Sequence, residues 1–482
     1  TSFDSVGWGA VFLDADNDGL LDIYVSSSEN GNGSLISSAF YHQQTDETFI
    51  IPQDIGFNID LRESYSNAIG DINNDGLVDL FFTGNDVPNR LYINKGNFQF
   101  EDVSIAAGIQ SNRWATGVTL VDINQDGLMD VYICNSGPYM DANSTANELY
   151  INRGNNVFSE EAANYGIADG SRSTQATFFD MDKDGDLDLW VMNHGLRNRG
   201  AGSNVWLSKS ATLDKAVYNR ECSTLYRNDG NGHFTDISES AGIQKIGFGL
   251  GMAIRDFDED GFLDVYIAND FFIPDFFFKN NGNGTFTDVS NEKIAHSPYY
   301  AMGCDAADVN NDGLTDLMIV DMTPADHVRN KVLMSSMDVV GFEYLTESKQ
   351  YQPQYMYNSL FINSGLGVMS DIGLFAGVSQ TDWSWAPLLA DFDNDGWKDL
   401  MVTNGFRKDT KNNDWKNELI ELRNRKGSAY SPADYFEHLK KADVNPVPNQ
   451  IFQNTGGLKF EQNNADWGFE TPSSSNGAAY AE

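Results

Sequence analysis

The residues best placed to do chemistry are aspartates, and their spacing matters more than their number. The stretch DADNDGLLD (14–22) returns as DINNDGLVD (71–79), DINQDGLMD (122–130), DMDKDGDLD (180–188), DFDEDGFLD (256–264), DVNNDGLTD (308–316) and DFDNDGWKD (391–399). Oxygen-bearing side chains at alternate positions around a glycine suit a hard cation such as Ca²⁺, which takes six to eight oxygens in a flexible shell. Position one is Asp14, Asp71, Asp122, Asp180, Asp256, Asp308 and Asp391. Position three is Asp16, Asp182, Asp258 and Asp393, replaced by Asn73, Asn124 and Asn310, which keep the oxygen and lose the charge and so predict weaker binding in those three loops. Position five is Asp18, Asp75, Asp126, Asp184, Asp260, Asp312 and Asp395, and position nine is Asp22, Asp79, Asp130, Asp188, Asp264, Asp316 and Asp399. The carbonyl at position seven is a further ligand, and the glycine at six permits the turn. The cofactor predicted is Ca²⁺, up to seven ions.

An EF-hand shares the first half of this pattern but needs a bidentate Glu at position twelve and helices on both sides. Position twelve here is Val25, Phe82, Ile133, Val191, Ile267, Ile319 and Val402, all apolar, and the segments after the loops (LDIYVSS, VDLFFTG, MDVYICN) are β-like. The EF-hand reading fails, and the ninth-position Asp is the closing ligand in its place.

The elements that must position these loops are strands. A second unit recurs between the loops: LYINKGNFQFEDVS (91–104), LYINRGNNVFSEEA (149–162), LYRNDGNGHFTDIS (225–238), FFKNNGNGTFTDVS (277–290), LFINSGLGVMSDIG (360–373), IFQNTGGLKFEQNN (451–464) and, more loosely, FYHQQTDETFIIPQ (40–53). Each reads as a β-hairpin, two apolar runs about an Asn/Gly turn. Each unit is therefore four strands, A–metal loop–B–C–D, and seven such units predict an all-β, seven-bladed β-propeller of four-stranded antiparallel blades over 1–472. One sheet alone cannot bury both faces; neighbouring blades bury them for one another. SSSNGAAYAE (473–482) is either a ring-closing strand or the start of a truncated eighth repeat, so an eight-bladed ring is the alternative.

These loops and hairpins resemble the FG-GAP/VCBS repeats of integrin α-subunit heads over nearly the whole chain. More narrowly, WSWAPLLADFDNDGWKDLMVTNGFRKD (383–409), DVNNDGLTDLMIVDMTP (308–324) and SSNGAAYAE are similar to the propeller region of Bacteroidota surface proteins that carry VCBS repeats with an ASPIC/UnbV domain. The resemblance implies a place beside outer-membrane nutrient-uptake systems, with an envelope or outer-membrane protein as partner; it implies no substrate.

Composition agrees. A net charge of −39 argues against nucleic acid, yet 41% hydrophobic residues suffice for a large core. No window has the length of a transmembrane helix and no signal-peptide pattern opens the chain. Cys134, Cys222 and Cys304 lack metal-ligand spacing and read as buried free thiols.

Successive antiparallel strands alternate direction, so within the blades the metal loops share one face and the B–C and D–A connections share the other. Trp114, Tyr299, Tyr300, Trp383 and Trp385, beside Asn269, Asp270 and Arg407, give that second face the mixture of aromatic area and orienting polar groups that binds sugars or peptides. The competing reading is that the aromatics only pack between blades. Three long B–C connections (189–221, 321–358 and 404–449) also open there, and apolar spacing in DWKNELIELRNRK and PADYFEHLKKA predicts two short helices near 410–442.

None of the six histidines falls in a nucleophile or metalloprotease motif. The expected function is a calcium-stabilised cell-surface or extracellular binding module for a glycan, peptide or partner protein. The alternatives are a lyase-type enzyme using His194 and Arg197 and a structural scaffold or adhesion component of the envelope. Loops of this chemistry in extracellular modules bind Ca²⁺ at about 10⁻⁴–10⁻³ M, which would leave them empty in cytosol and filled outside the cell.

Overall fold

The computed structural model describes residues 6–28, 39–46, 48–52, 55, 64–85, 87–137, 142–195, 213–333, 339–406 and 408–481. The chain forms two compact bodies, residues 1–293 with 477–482 and residues 294–476.

In the first body the strands run as five antiparallel meanders of four. The second meander is representative: Ser64–Gly70, Asp79–Gly84, Arg90–Asn94 and Phe100–Asp102 pair in sequence order. Alternation along the strands sends side chains to opposite neighbours. Leu80, Phe82 and Tyr92 pack with Leu13, Tyr24 and Phe40 of the first sheet, whereas Phe81, Leu91 and Ile93 pack with Val131, Ile133 and Tyr150 of the third. The same handover runs from third to fourth sheet through Leu149, Ile151, Leu189 and Val191, and from fourth to fifth through Trp190, Met192, Val265 and Ile267. The core of this body is thus a series of layers between sheets, and each sheet is a blade in the propeller sense.

The second body holds a four-stranded blade (Gly303–Ala307, Asp316–Val320, Ser359–Asn363, Met369–Asp371) and a five-stranded one, in which Met322–Thr323 joins the edge of Asp382–Ala390 ahead of Asp399–Asn404, Gln450–Asn454 and Phe460–Gln462. The described residues therefore contain seven such sheets, in line with the all-β propeller expectation. The helices predicted in the last insertion are present as Asn413–Lys426 and Pro432–Leu439, which enclose Trp415 and Leu419. Pro472–Ser473 pairs with Val447–Pro448, and residues 476–481 carry no strand.

A one-turn helix, not foreseen from the sequence, follows strand D in five blades, as in Ser104–Ala107 and Ser238–Ala241. In three of the five it opens with a serine whose hydroxyl accepts an N–H of strand C: Leu91 to Ser104, Leu225 to Ser238 and Phe277 to Ser290, at 2.8–2.9 Å. All three cysteines are free; Cys134 and Cys222 are buried, which pushes the Cys222 thiol up to about 12, while Cys304 is half-buried.

Candidate metal loops and the opposite rim

Each loop begins where strand A ends, and its ninth aspartate pairs across the sheet with the residue just before the loop: Leu13 with Asp22, Gly70 with Asp79, Val121 with Asp130, Phe179 with Asp188, Arg255 with Asp264, Ala307 with Asp316 and Ala390 with Asp399. The eight residues between are folded by their own side chains. In the second loop Asp71 accepts the N–H groups of Asp75 (3.0 Å) and Gly76 (2.8 Å), Asn73 accepts that of Asp75 (2.9 Å), and Asp75 accepts that of Leu77 (3.0 Å). The third and sixth loops repeat the set. Two residues per loop stand in the left-handed region. The glycine at six was foreseen (Gly76 at φ 88°, Gly185 at 93°); the residue at four was not (Asn74 at 58°, Gln125 at 57°, Lys183 at 64°). The signal was present, since asparagine holds four of those seven places and adopts that region more readily than most residues.

The side chain at four then reaches the neighbouring blade. Asn74 Nδ2 donates to the Gly127 carbonyl (2.9 Å), Gln125 Nε2 to that of Gly185 (3.0 Å), and in the second body Asn311 Nδ2 to that of Gly396 (3.0 Å). The glycine carbonyl of one loop is thus the anchor of the one before it.

The ninth aspartates are buried and hydrogen-bonded on both oxygens. Asp130 Oδ2 accepts from Ile123 N–H (3.2 Å) and Oδ1 from Asn152 N–H (2.7 Å), tying the second loop residue to the end of strand C. Asp79, Asp188, Asp264, Asp316 and Asp399 do the same with Asn94, Asn228, Asn280, Asn363 and Asn454, and Asp22 with Gln43. Burial pushes Asp79 and Asp264 up to about 6 and Asp130, Asp188 and Asp316 up to about 7, with the backbone donors pulling against it and nearby loop carboxylates adding to the rise.

A divalent cation would be held by the carboxylates at one, three and five or nine. Ligand oxygens fall within 4.8 Å of one another in Asp14–Asp16–Asp18, Asp180–Asp182–Asp188, Asp256–Asp258–Asp260 and Asp391–Asp393–Asp399, and Asp16 and Asp22 also lie this close to a ring nitrogen of His42. The fit to a cation rests on oxygens left over: Asp16 Oδ1, Asp182 Oδ1, Asp256 Oδ1 and Asp258 Oδ1 are solvent-inaccessible and have no hydrogen-bond partner. Such atoms are costly unless something positive meets them.

The predicted ligand residues on the opposite rim are divided between the two bodies. In the first, Trp114 is half-buried, and Asn269 is spent on the blade itself. Its Oδ1 accepts from Phe248 N–H (2.8 Å), its Nδ2 donates to the Pro274 carbonyl (2.9 Å), and it is fully buried, which corrects its assignment as a ligand group. Asp270 is 9% exposed and accepts the Phe271 N–H. His194 packs its ring on Phe248 at 5.3 Å, with Nδ1 3.0 Å from the Gly195 carbonyl; Arg197 lies outside the described residues.

In the second body three of the aromatics are brought to one edge. Tyr299 and Tyr300 meet ring to ring at 4.7 Å, and their N–H groups share Asp321 Oδ2 (2.9 and 3.1 Å). The next residue, Met322, pairs with Trp383. The Trp383 ring is buried, stacked on Phe406 at 4.5 Å, with Lys411 Nζ 5.7 Å from its centre. Trp385 occupies a bulge and donates its indole N–H to the Gly405 carbonyl (2.7 Å). Packing thus accounts for Trp383, while Tyr299 and Tyr300 stay half-buried; Arg407 lies outside the described residues.

Arg329 was not foreseen from the sequence. Its guanidinium forks onto Asp382 (Nε 2.7 Å, Nη2 3.1 Å) and reaches Asp409 (3.1 Å), clamping the helix His327–Leu333 of one insertion to the start of the next. Asp382, which it grips, stands at φ 76°, an uncommon conformation for a residue with a Cβ.

The FG-GAP-like repeat pattern matches six segments, residues 14–82, 71–133, 139–191, 212–267, 256–319 and 337–402. Among curated proteins, cartilage acidic protein 1 of Mus musculus is 24% identical over 285 residues, which is 56% of this chain and 42% of that protein. The Xenopus tropicalis protein of the same name is 23% identical over 271 residues, 55% of this chain and 38% of that one. The chain thus spans less than half the length of these relatives. Among solved structures, an Agrocybe aegerita lectin that recognises non-reducing terminal N-acetylglucosamine aligns over 95% of this chain and 88% of its own at 14% identity and a TM-score of 0.44. A Bacillus licheniformis rhamnogalacturonan lyase aligns over 84% and 71% at 12% identity and a TM-score of 0.41. At such scores neither likeness bears on the site.

Proposed function

This chain belongs to the FG-GAP-like repeat family, and on that premise we propose that it is a calcium-stabilised binding module of the cell surface or extracellular space. It would recognise a glycan, peptide or partner protein as an accessory subunit of an outer-membrane assembly of the nutrient-uptake kind. The observation that carries the calcium part is the set of buried, unpartnered carboxylate oxygens in the first, fourth and fifth loops. Bound ions would neutralise carboxylates that otherwise repel one another. An extracellular setting suits both that chemistry and the cartilage in the name of the curated relatives.

For recognition the reading favours the edge of the second body where Tyr299 and Tyr300 stand half-buried beside the clamped insertions, since loops with structure of their own are usually there for function. No catalytic step is assigned to the chain. The test is a pull-down from native envelopes in millimolar calcium, repeated with chelator. Calcium-dependent capture of an envelope protein, lost with Tyr300→Ala at unchanged melting temperature, is the expected result. Release of unsaturated sugar products, abolished by His194→Ala, would overturn it in favour of a lyase.

A further inference from the structure

The seven loops are not equivalent, and what separates them lies outside the aspartate pattern. In every blade strand C ends in the residue whose N–H binds the ninth aspartate; the residue just before it is His42, Ile93, Ile151, Arg227, Lys279, Ile362 or Gln453. The three isoleucines fall in the three loops with asparagine at position three, and the four polar residues in the four loops with aspartate there. Three of the polar ones address loop carboxylates, while Arg227 bonds Asp229 of the next turn. His42 lies 3.7 Å from Asp16 and 3.0 Å from Asp22, and Gln453 Nε2 donates to Asp393 (2.6 Å). Lys279 goes furthest: its ammonium is bonded to Asp258 and to Asp260 (2.8 Å).

Two ligand positions of the fifth loop therefore share one internal cation. We infer that Lys279 takes the place of calcium in this loop, so that at most six of the seven loops bind the ion. This rests on the calcium reading above. The ammonium is paired with carboxylates at positions three and five, and a divalent ion could enter only by breaking both ion pairs and against the repulsion of the neighbouring ammonium. The isoleucine loops need no such group. With one carboxylate fewer, and with Asn73, Asn124 and Asn310 each donating an amide hydrogen to the aspartate at five (3.0 Å), they hold their shape without a built-in cation and keep the site for a metal. The fifth loop also retains Asp256 Oδ1 and Asp258 Oδ1 without partners, so removal of the ammonium would leave a set of oxygens able to receive one.

The experiment counts bound calcium per full-length chain by equilibrium dialysis at millimolar calcium, for wild type, Lys279→Ile and Lys279→Gln. Both replacements occur naturally at this place in sister blades, and circular dichroism confirms that each variant is folded. The expected result is one more ion per chain in both variants than in wild type. Equal, non-zero counts in all three would overturn the inference and leave the calcium reading intact. No binding in any of them would overturn both.

Discussion

A ninth-position aspartate is a structural residue before it is a ligand. Asp130 accepts N–H groups from two different segments in a site closed to solvent, and replacing it with alanine strands both donors. Hydrogen bonds to a charged group contribute about 1.5–3 kcal/mol each, so Asp130→Ala should lose roughly 3–5 kcal/mol in urea denaturation even with chelator, and more when calcium is present. Asp126, exposed at position five, should behave differently: Asp126→Ala, which gives up only exposed loop hydrogen bonds, should lower stability slightly in chelator and much more when calcium is present. Equal losses for the two variants in chelator would show that the buried carboxylate holds nothing together by itself. The aspartate pattern made these residues legible as ligands. Their hydrogen bonds were not legible, because the donors are main-chain groups, one of them 22 residues away at the end of strand C.

At the scale of elements the sequence was most informative where periodicity repeats. Alternation of the kind seen in Leu80, Phe81 and Phe82 divides each strand between two neighbours, and it announces a blade without any three-dimensional knowledge. The one-turn helices after strand D are too short to show a period. The insertion helices showed theirs, but not what fixes them, since Arg329 finds its partners 53 and 80 residues further along the chain. With Arg329 and both aspartates at most 16% exposed, removing the cation leaves two poorly solvated carboxylates facing each other. Breaking a pair of this kind by deleting one partner costs about 3–5 kcal/mol when fully buried. Arg329→Met should therefore destabilise the fold around these insertions by roughly 3 kcal/mol and speed proteolysis within 404–449. An unchanged cleavage pattern would mean that the Trp415 helix pair holds the insertion without the clamp.

At the scale of the molecule the dominant fact is charge. A net −39 is tolerable only if much of it is neutralised, and the least tolerable part is the set of buried ninth aspartates. Five of them are raised by burial to about 6 or 7 in the folded protein, against about 3.9 in the unfolded chain. Between those values the folded state holds more protons than the unfolded state, so in the absence of metal stability must fall as pH rises from about 4 to 7. Calcium reverses the sense of this, because it binds the ionised form and competes with protons; its affinity climbs across the same interval. The melting temperature in chelator should accordingly drop from pH 5 to pH 8, while in millimolar calcium it holds or rises, and the gap between the two curves should widen steadily. Two parallel curves would mean that calcium does not reach the buried carboxylates. The ninth position would then be a hinge pin of the blade, with any ion held by the exposed aspartates at one, three and five alone.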